Sequence, residues 1–183
     1  YPYNPTNRVT TYKELIKVSD VCQLLDTSKY PATNTTHGIT FTNNGDGTII
    51  TNGETSDIRA SYFLNTVPAT EGHIYLLTGV AGSTSKFFLN SFFATSTSWL
   101  KDNICRGGQD GIIFPYVTGA TIIRTQIAVE PNATADNLIF KPQLFDLTEM
   151  YGAGNEPSTV DEFKQKFSDE LYPYSPRCWT VVG

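Results

Sequence analysis

The chain has 183 residues, a formal net charge of -5 and a pI near 4.9, which suits one compact domain and argues against a nucleic-acid binder that works by counterion release. No Lys/Arg patch stands out, and the longest apolar runs, such as Ile74 to Leu77, are about four residues, far short of the ~18 needed to cross a bilayer. Charged residues make up only 17%, aromatics reach 13%, and Thr, Asn, Ser and Gly are abundant, the balance of a strand-rich chain with polar turns.

Tyr1 is expected to be a processing boundary rather than a natural start. The opening Tyr1-Pro-Tyr-Asn-Pro is echoed by Tyr172-Pro-Tyr-Ser-Pro, and the prolines make both stiff, extended linkers. The echo is read as a period, with residues 1 to about 171 as one unit of a tandem array or a cut at equivalent joints of a longer protein, against chance recurrence in a chain with 10 Tyr and 10 Pro. Thr11-Tyr-Lys-Glu14 has the form of a capping box, with Leu15 and Ile16 as a short apolar stripe, and predicts a short N-terminal helix. Val18 to Leu25 reads equally well as extended chain.

Runs of β-branched and aromatic residues then alternate with turn chemistry, predicting strands near 23–26, 38–42, 47–51, 57–64, 73–80, 86–93, 111–117, 121–129 and 138–147. The clearest hairpin joins Gly38-Ile-Thr-Phe-Thr to Thr48-Ile-Ile-Thr through Asn43-Asn-Gly-Asp-Gly, whose Asn and Gly tolerate positive φ. Near the end, Thr159-Val-Asp-Glu162 follows Pro157 as a capping box. Val160, Phe163 and Phe167 lie on one face, predicting a helix over roughly 159–168.

The pattern reads as all-β, a jelly-roll β-sandwich with short flanking helices at the N- and C-terminal ends. Residues 1–22 form the linker and first helix, 23–148 the sandwich, and 149–176 a turn, capped helix and linker. Residues 177–183, Arg-Cys-Trp-Thr-Val-Val-Gly, are an apolar tail that pairs with a neighbouring module or subunit, or begins a further domain.

Catalytic chemistry is poorly supplied. Only His37 and His73 are available as imidazole bases, no Gly-x-Ser-x-Gly elbow occurs, and Asp161 and Glu162 serve the positive end of the predicted helix. A non-enzymatic protein is expected. Cys22, Cys105 and Cys178 share no metal-like spacing and read as buried thiols rather than a disulfide. Gly107-Gly-Gln-Asp-Gly111 lacks the Lys-Ser/Thr of a phosphate loop. No cofactor or metal ligand set is called. A structural calcium held by loops such as Asp102-Asn103 and Gln109-Asp110 is left open.

Strand alternation places Arg124 and Gln126 opposite Ile123, Ile127 and Val129. It likewise sets Ile139, Lys141 and Gln143 against Leu138, Phe140 and Leu144, and Arg59 and Ser61 against Ile58, Ala60, Tyr62 and Leu64. If those polar faces share one sheet, Arg59, Arg124, Gln126, Lys141 and Gln143, with Trp99 on an adjacent loop, form a shallow glycan site. An ordinary solvated sheet face is the competing reading.

Three blocks carry a resemblance: Leu24-Leu-Asp-Thr-Ser-Lys-Tyr-Pro; Gly38 to Ile49 with Thr51-Asn-Gly; and Phe140-Lys-Pro-Gln-Leu-Phe-Asp-Leu-Thr with Gly152-Ala-Gly-Asn-Glu-Pro. They resemble modules of bacteriophage tail and other virion structural proteins, of phages that infect Gram-positive and gut bacteria, and the related carbohydrate-binding jelly rolls of bacterial surface enzymes. The resemblance implies a non-enzymatic virion module in a tail or host-facing fibre, located in the virion. Its implied partners are other virion proteins or copies of itself, and a host cell-surface glycan. The alternatives are a carbohydrate-binding module of a secreted bacterial enzyme or adhesin, at the cell surface, and a capsid decoration or head-fibre domain. Aromatics exposed in a row would favour sugar binding, whereas an exposed apolar patch including residues 177–183 would favour assembly.

Overall fold

A computed structural model describes residues 13–182. The opening Tyr-Pro segment and the first two residues of the N-terminal capping box lie outside that range. The chain is mostly β-structure.

Its first strand, β1 (Glu14–Lys17), is followed by a 3-10 turn at Thr27–Lys29. Strands β2 (Asn34–Thr36), β3 (Ile39–Asn43) and β4 (Ile49–Glu54) come next, then β5 (Ala60–Pro68), β6 (Ile74–Thr78) and β7 (Phe87–Ala94). Three short strands follow, β8 (Trp99–Lys101), β9 (Ile104–Arg106) and β10 (Ile112–Pro115), before β11 (Ile122–Val129), β12 (Thr134–Phe140) and β13 (Gln143–Asp146). Helices α1 (Leu147–Tyr151) and α2 (Val160–Lys164) lead to the last strand, β14 (Trp179–Val182).

These strands form four sheets: β5-β11-β7-β8 with β9 also on β7, β12-β4-β3-β2, β10-β6-β13, and the ribbon β1-β14. All the pairings are antiparallel. The three larger sheets share one core, to which Phe41, Tyr62, Tyr75, Phe93, Ile123, Phe140 and Leu144 contribute. A second cluster of Val21, Leu76, Phe145, Leu147, Phe163 and Phe167 lies where α1 and α2 cover β13.

The predicted hairpin forms as β3 and β4, with Gly45 and Gly47 at positive φ and the Asn44 N–H donating to the Thr48 carbonyl. Strand β7 is buried along its whole length. Leu89 and Phe93 enter the core, and Ser91 is satisfied there by Thr125, 2.7 Å away. On the other face of β7, Arg59 and Arg106 lie over Phe88, and Arg124 and Trp99 cover Phe92.

Several expectations need correcting. Leu15 and Ile16 belong to strand β1, not a helix, because 14–17 pair with 179–182 and long-range pairing overrides a local capping pattern. Residues 23–26 make one bridge, Gln23 to Phe145, and no strand. The predicted strand over 138–147 is two strands in different sheets, divided at Pro142, which cannot donate to a ladder. Its end is helical, because Asp146 caps α1 by accepting from the Glu149 N–H at 3.0 Å. The C-terminal helix is shorter than predicted and is capped by Thr159. Ile58 is exposed instead of joining Ala60, Tyr62 and Leu64 inside. The segment after α2 packs against the body: Tyr172 stands edge-on to Phe145 at 6.1 Å, and the Ser175 N–H donates to the Gln23 carbonyl at 2.9 Å.

Candidate functional site

The residues singled out for a glycan face do not converge. Arg59 pairs with Glu130 at 2.6 Å and lies over the Phe88 ring, which Arg106 also covers. Arg124 lies over the rings of both Phe63 and Phe92, 4.6 and 5.7 Å from their centroids. Trp99 stacks on Phe92 at 3.5 Å and donates through Nε1 to Asp102. Gln126, aligned with Asn90 and Phe63, is buried on the same sheet. Lys141 and Gln143 belong elsewhere, at the junction of β12 and β13. Gln143 is buried, its amide donating to the Glu170 carbonyl and accepting from the Tyr172 N–H. Arg124 and Trp99 are thus brought together through Phe92, whereas Lys141 and Gln143 are separated from them by sheet membership. The loops considered for calcium have structural duties: Asp102 accepts from Asn90 and Trp99, and Gln109 accepts from the Arg106 N–H.

His37 occupies a turn at positive φ, while His73 contacts both oxygens of Asp146 through Nδ1, at 2.9 and 2.7 Å. Burial pushes the Asp146 carboxyl above its ordinary range, opposed by the Glu149 N–H and by His73. A carboxyl raised in the folded state holds its proton more tightly there than in the unfolded chain. Its contribution to stability is therefore fullest below the ordinary Asp value and is lost as pH rises through the raised one. Asp146→Asn keeps a capping oxygen and is expected to flatten this decline in the window that opens near pH ~3.9, as read from unfolding midpoints against pH.

A different surface was missed in the sequence. Strands β1 and β14 pair Leu15 with Val181 and Lys17 with Trp179, so these four side chains share one face of a two-stranded ribbon. Leu15 is 62% exposed, Val181 56% and Trp179 39%, and Lys17 Nζ lies 5.8 Å from the Trp179 ring centroid. Between this face and α1 runs a groove of about 750 Å³, lined by Leu15, Trp179 and Val181 on one side and Met150 and Tyr151 on the other. Arg177 and Glu149 add one charge of each sign. Ile16, Val18 and Val182 are exposed as well, so the ribbon region holds six of the twelve large exposed apolar side chains among the described residues. The apolar tail signalled half of this surface; its partner strand was hidden by the helical reading of residues 11–16.

No family model matches the chain, and no curated protein matches it by sequence. Among solved structures it is similar to the Glycosylation Associate Protein (Gap123) complex from Streptococcus agalactiae, with TM-score 0.47 and 16% identity over 72% of this chain and 46% of that one. It is also similar to the complex of accessory secretory protein 1, 2 and 3 in Streptococcus pneumoniae, with TM-score 0.45 and 14% identity over 68% of this chain and 95% of that one. The chain thus spans under half the length of the first of these. Both likenesses are below the level at which function transfers.

The expected kinship with bacteriophage tail proteins is corrected by these comparisons. The similar structures are streptococcal accessory-secretory and glycosylation-associated proteins rather than virion components, and no family model supports the phage assignment. The virion function and location fall with it, as do the capsid, adhesin and carbohydrate-binding alternatives. The three sequence blocks mark structural features, a 3-10 turn capped by Asp26, a hairpin turn and a helix start capped by Asp146, that unrelated β-proteins also need. No described helix is long and apolar enough to cross a membrane.

Proposed function

We propose that this chain is a non-enzymatic, cofactor-independent interaction module of jelly-roll type that assembles with another protein chain, in the first instance a second copy of itself, through the β1–β14 ribbon and its groove. The observation that carries this reading is the ribbon's apolar face, with Leu15, Trp179 and Val181 left open to solvent. A two-stranded ribbon is marginally stable by itself, and among the described residues each of its strands has a free edge. Covering such a ribbon stabilises it twice, by removing apolar surface from water and by completing its hydrogen-bonding edge. The groove's mixed charge and apolar walls suit a polypeptide better than a charged small molecule.

Light scattering across a concentration series tests the reading. An assembled species is expected, converted to monomer by Val181→Asp, with the unfolding free energy changed by only about 0.5 kcal/mol because the position is exposed. A monomer at every concentration, unaffected by Val181→Asp, would overturn self-assembly.

A further inference from the structure

Cys22, Cys105 and Cys178 are free and buried in this structure. We infer that Cys22 and Cys178 close into a disulfide under oxidising conditions, a covalent staple between the segment after β1 and the segment before β14. Below the ribbon these two segments continue side by side: the Cys178 carbonyl accepts from the Val18 N–H at 2.7 Å and the Ser19 N–H at 3.3 Å, and the Ser175 N–H donates to the Gln23 carbonyl. Cys22 and Cys178 are therefore enclosed by contacts on both sides. The Cys22 thiol donates to the Pro176 carbonyl oxygen at 3.1 Å, two residues from Cys178. Both residues are shut off from solvent, at 0% and 1% exposure. Cys105 takes no part, because it lies on β9 opposite Leu89 in the five-stranded sheet.

Formation needs an oxidant, and a low-molecular-weight disulfide suffices. One protein thiolate attacks it and expels a thiolate, giving a mixed disulfide. The second protein thiolate then attacks the protein sulfur of that bond and expels the other small thiolate. Two protein thiols are oxidised, one small disulfide is reduced to two thiols, and the two thiol protons pass to the expelled thiolates. Burial holds the Cys178 thiol up at about 11 and pushes Cys22 higher still, so exchange is slow in the closed structure. The bond is expected to form while the terminal segments are docking, and afterwards to be shielded from reductants. It ties the termini-proximal segments together and fixes the ribbon to the body. The inference stands on the thiols and is independent of what the groove receives.

The test is to refold the full chain with oxidised glutathione, then count free thiols in denaturant and map the peptides by mass. One free thiol is expected, on Cys105, with a linked peptide pair containing Cys22 and Cys178; the Cys105→Ser variant should show none. The oxidised form should unfold roughly 5–10 °C above the reduced form, since the cross-link closes almost the whole chain. Three free thiols after oxidative refolding, or a bond that uses Cys105, would overturn the assignment.

Discussion

Replacing Gly79 with alanine is expected to cost about 4 kcal/mol or more, among the largest effects of any single substitution in this protein. Gly79 follows β6 with φ at 100°, and a Cβ there would stand 1.7 Å from the Lys141 carbonyl oxygen and 2.3 Å from its carbon. Both obstacles are backbone. The Gly79 carbonyl also accepts from the Lys141 N–H at 2.8 Å, so the strands cannot separate at this point without losing that bond. Lys141 immediately precedes Pro142, where the chain leaves one sheet for another, and strain there would reach both. Gly45→Ala is the control: its φ is 80°, yet nothing lies within 4 Å of the added carbon. It should cost only about 1–2 kcal/mol, the left-handed backbone penalty by itself. Urea unfolding of the two variants separates steric conflict from backbone preference, and equal losses would refute the close approach at Gly79.

Phe93→Ala is expected to cost about 3–5 kcal/mol, because the site lies where the sheets meet and cannot collapse around the missing ring. Phe93 is fully buried. It packs edge-on to Tyr75, Phe114 and Tyr116, with centroid separations of 6.0, 5.6 and 5.9 Å. Tyr75 and Phe114 are stacked at 5.7 Å, so one deletion unsettles an ensemble of four rings. Phe63→Ala, on the half-exposed outer face, should cost much less. A thermal midpoint for Phe93→Ala within a few degrees of the parent chain would place the core elsewhere.

Local chemistry made much of the fold legible. Period-two alternation in Ile122–Val129 put Ile123, Ile127 and Val129 inside, and Asn43-Asn-Gly-Asp-Gly fixed a turn whose positive φ only such residues accept. Pattern was weaker where strands are three or four residues long, as at Trp99–Lys101 and Ile104–Arg106, because a period of two has no room to declare itself. It failed at Glu14–Lys17, where a capping box and an apolar pair imitate a helix. The functional surface was the least legible part. Arg124 and Gln126 do share a strand, and Arg59 immediately precedes its neighbour β5, but Lys141 and Gln143 do not join them, since alternation gives the face of a strand without saying which sheet the strand enters.

By itself, the amino-acid sequence determined the mostly-β class, the central hairpin and the capped start of the last helix, all set by residues within a few positions of one another. Only the tertiary structure decided that residues 14–17 meet residues 179–182, that the segment holding Cys22 runs against the segment holding Cys178, and that Leu15 and Val181 face an open groove. Those contacts join the two ends of the chain. No local propensity encodes them, because the free energy that selects them comes from burial and strand pairing between segments far apart in sequence.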